Sequence, residues 1–336
     1  MSVSILSHKW RLALLGISLV SVSFAHLFLS NTAWDWATLG SPERWQHHAF
    51  ILWEFRLPRW LLAMTVGAGL AVAGVALQAL FRNPLAEPGL VGVASSSAFG
   101  AVSIMVLGAW WWQEVSWWQI GGAAFVFGLL MTGFIYRLAT RHGQTDVALM
   151  LLAGVAINAL MGAGTQLLLS VADLVQLRSV TFWLMGSLAN HGWTPVLAVS
   201  GVMVLATLGL WRLVQHMNAF VLGDNIARSM GYPSQGFKAQ VMILSALMVS
   251  SAVALVGVIG FVGLVVPHLV RLWVGVDHRL VLPLSAIGGA LLLVSADWLA
   301  RTLLYPLELP IGLLMALVGA PFFLIMLLKQ RGRWQT

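Results

Sequence analysis

Cysteine is absent from all 336 residues, and lysine occurs three times, at Lys9, Lys238 and Lys329. Without cysteine there can be no disulfide, no thiolate nucleophile and no sulfur-ligated zinc or iron–sulfur centre. No lysine follows a G-x-x-x-x-G phosphate-binding loop, so the chain has no Walker-type nucleotide site of its own. The H-E-x-x-H and G-x-S-x-G patterns of intramembrane hydrolases are missing as well. Charge is scarce: 9% of residues are charged and 60% are hydrophobic. A soluble domain carries roughly 25% charged residues, so a chain this long and this apolar cannot cover a water-facing surface. It belongs in lipid. The formal net charge of +7 raises the question of nucleic acid. Nucleic acid is not expected as a partner, because the basic residues sit between apolar runs and form no cluster interleaved with stacking aromatics.

What is present is apolar sequence in blocks of roughly 20 residues, the length of one membrane crossing. Ten blocks can be read: 10–30, 57–81, 90–109, 119–138, 147–170, 194–214, 239–258, 259–275, 280–300 and 309–328. The first follows Lys9-Trp-Arg11 and exceeds a signal-peptide core, so it is read as an uncleaved span. The seventh and eighth are nearly continuous, and Gly257, Gly260 and Gly263 give the only break. The reading is one all-α polytopic membrane domain over 1–336 with about ten transmembrane helices. Two segments fit no span. Residues 173–188 are read as a short helix at the outer surface. Residues 216–237 form the longest polar stretch on the inner side, with helical turns from Asp224 to Met230 ended by Gly231 and Pro233.

Basic residues orient the chain. With both termini in the cytoplasm, only Arg44, Arg56, Arg59, Arg178 and Arg301 of the 18 Lys and Arg fall outside. Tryptophans 34, 36, 45, 53 and 60, and 110–112, 117 and 118, cluster at the same outer ends, where indole rings favour the headgroup layer. Small residues in span two (Gly67, Ala68, Gly69, Ala71, Ala73, Gly74) and span nine (Gly288, Gly289, Ala290) permit close helix contact, so span two is expected to be buried. Polar residues within spans are Gln78, Asn158, Gln166, His268 and Asp297. The three amides are expected to bond between helices. Asp297 stands four residues before Arg301 and can pair with it on one helix face. No second histidine accompanies His268 at helical spacing, so no metal site and no cofactor is expected.

Several motifs combine into a family resemblance. They are Arg56-Leu-Pro-Arg59, the turn Gln78-Ala-Leu-Phe-Arg-Asn-Pro-Leu-Ala-Glu-Pro-Gly89, the inner segment GDNIARSMGYP from Gly223 to Pro233, Glu308-Leu-Pro310-Ile-Gly312 and Gly319-Ala-Pro321-Phe-Phe323. Together they resemble the permease family of bacterial ABC importers for iron complexes and vitamin B12. The resemblance runs nearly the whole chain and implies a type II importer permease in the bacterial inner membrane. It also implies a homodimer with a pore on its two-fold axis, a separate ABC ATPase and a periplasmic substrate-binding protein. In that family the box arginines and the end of span nine meet glutamates of the binding protein, which marks Arg56, Arg59 and Arg301. The inner segment enters a cleft of the ATPase, which marks Gly223, Asp224, Ala227, Arg228 and Gly231. The turn at 83–89 is read as structural, packed near the inner face, with Glu87 placed to meet the ATPase as well.

The segment Asp173–Leu188 is similar to the corresponding part of haem permeases, and LLAGVAINAL at 151–160 agrees. The turn at 78–90 is equally close to vitamin B12 permeases. Haem or another iron complex is the expected cargo, with cobalamin as the alternative. Phe182, Trp183 and Met185 would offer a polarisable wall to a planar macrocycle. Thr145 and Asp146 fall where the inner gate would lie. A passive channel, which needs no ATP motif, is the competing class.

Overall fold

The computed structural model describes residues 2–29, 42–110, 112 and 114–331. Trp34, Trp36 and Trp111 lie outside them, as do the side chains of Arg44 and Trp45. The helices are α1 (Ser2–Phe28), α2 (Pro42–Ile51), α3 (Leu57–Phe81), α4 (Val93–Leu107), α5 (Trp117–Ala139), α6 (Val147–Val171), α7 (Leu174–Leu184), α8 (Trp193–Arg212), α9 (Val214–Val221), α10 (Asp224–Ser229), α11 (Ser234–Val256), α12 (Val262–Val274), α13 (His278–Thr302) and α14 (Ile311–Arg331). Among the described residues, seven helical runs are long and apolar enough to cross a membrane. Three shorter apolar helices, Val93–Leu107, Val262–Val274 and Ile311–Met326, complete the ten blocks read from the sequence.

Helix α3 is the centre of the bundle, packed by α13, α8, α11 and α12. Its residues from Leu70 to Phe81 are buried on every face. Between lipid-embedded helices the hydrophobic effect gives no drive to associate, so backbone proximity and dispersion must hold them. Gly67 meets the backbone of Gly289 on α13, and Gly74 meets that of Gly263 on α12. Gln78 adds a polar tie. Its Nε2 donates to the Gly263 carbonyl at 3.1 Å, and its Oε1 accepts from Arg271. Asn158 does the same between α6 and the 87–95 turn, donating to Gly89 O at 2.9 Å and accepting from the Ser95 hydroxyl. Gln166 is exposed on α6 and makes no such tie.

The long apolar run of spans seven and eight breaks at Gly257, whose φ is +72°. Helix α11 ends there and α12 starts at Val262, after Phe261 in the left-handed region. The freed backbone is satisfied by the end of α7. Ser187 N donates to Val256 O at 2.9 Å, while Ile311 N and Gly312 N of α14 donate to Gly186 O and Met185 O. Non-helical backbone at this depth persists because protein groups replace the missing helical bonds. Glu87 serves the break in the same way, since its carboxylate accepts from Phe261 N at 2.5 Å. This contact fits the structural reading of the 83–89 turn, and it engages the Glu87 side chain at the start of α12 instead of leaving it to face an ATPase.

Two features went unread in the sequence. Helix precedes span two: α2 and a π-helical turn at Leu52–Arg56 lead directly into α3. Pro58 lacks an N–H and cannot continue α-helical bonding at the second position of α3, and the turn before it widens so that Leu57 N reaches Leu52 O. The segment PERWQHHAF is too polar to register as a span. The other is a small hairpin, β1 (Thr140–Arg141) paired antiparallel with β2 (Gln144–Thr145), between α5 and α6. Trp60 also departs from the tryptophan belt, because it packs against the core.

Candidate functional site

Two polar regions stand at opposite ends of α3. At its N-terminal end a cavity of about 740 Å³ is lined by Glu54, Arg56, Arg59, His191, Arg301 and Glu308 with Phe50, Phe55 and Tyr305. The three arginines expected from the sequence are therefore brought together. They are not free, however. Arg59 is only 13% exposed and its guanidinium forks between two carboxylates. Nε and Nη2 donate to Asp297 at 2.9 Å, and Nη1 donates to Glu308 at 3.1 Å. Arg301 Nη2 donates to the His26 carbonyl at 3.1 Å, and its Nε stands 3.5 Å from Asp297. Arg56, also buried, donates to Leu27 O.

Asp297, 1% exposed, is the hub of this cluster; the expected i,i+4 pair with Arg301 forms, and Arg59 adds a closer one. His26 of α1 completes it, donating from Nε2 to Asp297 Oδ2 at 2.8 Å. Sequence reasoning missed His26. The available signal was an imidazole inside an otherwise apolar span. In the loop before α8, burial pushes the His191 imidazole below the usual histidine range. The Ser187 backbone opposes that shift and the Arg59 charge adds to it.

At the other end, α9 packs on α3 and α10 on α9, and Arg82 after α3 reaches over the Phe220 ring. Gly223 (φ +124°) and Gly231 (φ +85°) bound α10. Of the expected contact residues, Ala227 is corrected: at 1% exposure it faces the core and cannot touch a partner. Asp224 is partly enclosed, and its carboxylate pairs with Lys238 at 3.0 Å and Arg228 at 3.3 Å. Partial burial works against that charge. The Lys238 and Ser234 hydrogen bonds and the charges of Lys238 and Arg228 prevail, holding the carboxyl below the ordinary aspartate value. Beside the exposed polar residues Asn225, Arg228 and Ser229, α10 and its flanks present apolar side chains: Ile226 is 50% exposed and Met230 at the C-cap 55%, with Val221 and Leu222 also exposed. Several exposed large apolar side chains on an otherwise polar segment are a candidate contact surface. The sequence reading took its contact set from the family motif, which did not single out these apolar side chains.

The expected path residues divide. Phe182 and Met185 are exposed and share a face at i, i+3 spacing, with Arg178 over the Phe182 ring. Trp183 turns inward against the core, so the three form no single wall. Thr145 is buried, and its hydroxyl donates to Gln235 at 2.8 Å. Asp146 caps α6, accepting from Ala148 N and Leu149 N at 2.8 and 3.1 Å. Among the described residues no group of three His, Asp or Glu could hold a metal ion.

Among the described residues, ten apolar helical runs with the small-residue helix α3 at their hub, a basic cavity at one end and the short helix α10 at the other, define a multi-pass permease of the type II ABC importer fold. Residues 12–329 match the model of the FecCD transport family, and the chain belongs to that family. It is similar to the hemin transport system permease protein of Yersinia pestis, 42% identical over 317 residues, covering 94% of this chain and 92% of that one. The cobalamin import system permease protein of Halobacterium salinarum is 41% identical over 288 residues, covering 86% and 75%. Among solved structures, an inward-facing metal-chelate type ABC transporter superposes with a TM-score of 0.85 at 32% identity, covering 96% of this chain and 99% of that one. The chain is therefore a transport subunit of the inner membrane.

Proposed function

We propose that this permease carries haem or another iron complex inward by alternating access, as a homodimer served by a separate ATPase and a periplasmic binding protein. The observation that carries the cargo choice is the 42% identity to a hemin permease over nearly the whole chain. The 41% identity to a cobalamin permease supports the second reading, cobalamin. Both termini lie in the cytoplasm in this scheme, which puts the arginine cavity outside and α10 inside. The binding protein docks over Arg56, Arg59 and Arg301, where guanidinium groups suit bidentate carboxylate contacts. Since Arg59 already holds Glu308, a docking carboxylate joins or displaces that side chain. The 173–188 segment lies at the outer surface, and Phe182 and Met185 face the path. Vesicles containing the permease, its ATPase and a binding protein are expected to take up haem only when ATP is supplied. Uptake of cobalamin in its place overturns the cargo choice. Uptake without ATP makes the chain a channel.

Within this scheme the ATPase meets the 216–237 segment through Ile226, Met230, Arg228, Asp224 and the glycines at 223 and 231. Ile226→Asp with Met230→Asp is expected to leave insertion intact and to cut co-purification of the ATPase. Burying two uncompensated carboxylates in a contact costs several kcal/mol. Undiminished co-purification removes α10 from the interface.

A further inference from the structure

We propose that Lys238 is a positioning residue for transport, a buried strut that passes movement of α10 to the β1–β2 hairpin. The inference rests on the coupling role assigned above to residues 216–237. Lys238 stands one turn into α11 and is 2% exposed. Its Nζ donates in two directions, to Asp224 Oδ2 of α10 at 3.0 Å and to the backbone oxygen of Thr145 at 3.0 Å. The Phe220 ring of α9 lies 5.5 Å from the same nitrogen. Among the described residues, no other side chain bonds both α10 and the hairpin.

The neighbours reinforce each arm. Arg228 Nε donates to Ser234 Oγ at 3.0 Å, which fixes α10 to the first turn of α11. The Thr145 hydroxyl donates to Gln235 of that same turn and lies 2.9 Å from the Thr140 hydroxyl across the hairpin. Asp146 N closes the hairpin on Ala139 O at 2.9 Å, so the end of α5 and the start of α6 move as one piece with Thr145.

Burying an ammonium costs free energy unless it is paired, and a methionine of similar length would fill the space at no such cost. A cation is required for what methionine lacks: two directed bonds on opposite sides. The Thr145 bond goes to a main-chain oxygen, so a pull on Lys238 acts on the backbone itself. Displacement of α10 by an ATPase thus reaches the main chain of the α5–α6 connection directly through Lys238, whereas the Arg228–Ser234 and Gln235–Thr145 links act only by way of the first turn of α11.

Absence of cysteine makes the test clean. His142, exposed at the hairpin tip, is changed to Cys and spin-labelled in the reconstituted complex with the ATPase. With Lys238 present, ATP is expected to alter the label's mobility. In Lys238→Met the response disappears and uptake per ATP falls roughly tenfold, within the range that single substitutions on coupling paths produce. Hydrolysis and ATPase retention stay near those of the parent. A merely structural role would lower all of these together. Asp224→Asn keeps the side-chain shape and the Thr145 bond, and is expected to give a smaller loss of the same kind. An unchanged label response and uptake per ATP in Lys238→Met overturn the strut. If that variant does not insert, the same outcome in Asp224→Asn overturns it. Failure of the coupling role is read separately, as full ATPase retention by the Ile226→Asp, Met230→Asp variant.

Discussion

Asp297→Ala is expected to abolish recovery of the folded permease. Among the described residues, its carboxylate is the only anion in contact with His26, Arg59 and Arg301 together, and almost no solvent reaches it. Truncation leaves two guanidinium groups facing a void with Glu308 as their remaining acidic neighbour. Removing one partner of a buried ion pair costs about 3–5 kcal/mol, because the other charge stays desolvated. That is a large part of the total stability of a domain. Glu308→Gln is the contrasting variant. Glu308 is 48% exposed, and exposed pairs contribute about 0–1 kcal/mol. Size-exclusion chromatography in detergent should then recover folded Glu308→Gln and no folded Asp297→Ala. Equal recovery of the two would show that the cluster has no structural role. The same reasoning bears on docking experiments. Reversing Arg59 to Glu would set three carboxylates against one another, so loss of docking in that variant would reflect loss of fold.

Span number and position were legible because the energetics that set them are local. Each crossing must be apolar for roughly 20 residues, and that requirement is written in consecutive residues. The break at Gly257 was legible for a related reason, since three glycines interrupt an otherwise uniform run. Legibility fell where the deciding contact is distant in sequence. His26 and Asp297 are 271 residues apart and meet only because α1 packs on α13. Lys238 reads as one more cytoplasmic charge until the fold places Thr145 and Asp224 on either side of it. Glu87 looked like a surface carboxylate in a proline-rich turn, whereas its partner is an amide 174 residues away.

The functional residues follow the same rule. The two box arginines and Arg301 were found by the family resemblance, and the structure brings all three to one cavity. Their exposure could not be read from the motif, because it depends on Asp297 and Glu308 arriving from elsewhere. Ala227 entered the contact set through the family motif, which carries no information on which face of α10 a residue takes. One residue in a short helix changes face every 100°, so the neighbours Ile226 and Ala227 end on opposite sides.

Gly74→Leu is the second variant expected to fail outright, and the reason is geometric. A Cβ at Gly74 would fall inside the van der Waals radius of the Gly263 carbonyl oxygen, and Gly263 reciprocally faces Gly74. Neither atom belongs to a flexible side chain that could swing away. Relief requires α3 and α12 to separate, which would also pull Gln78 from the Gly263 carbonyl. Overpacking a close-packed site costs about 1–3 kcal/mol and occasionally more. In lipid, where close approach is itself the source of helix affinity, separation forfeits the contact as well. Gly201→Leu on α8 is the control, since nothing lies within 4 Å of a Cβ there. Expression followed by size-exclusion chromatography in detergent should show a monodisperse species for Gly201→Leu and aggregate for Gly74→Leu. A stable, monodisperse Gly74→Leu protein would mean that α3 and α12 do not touch as described, and the central place of α3 in the bundle would fall with that contact.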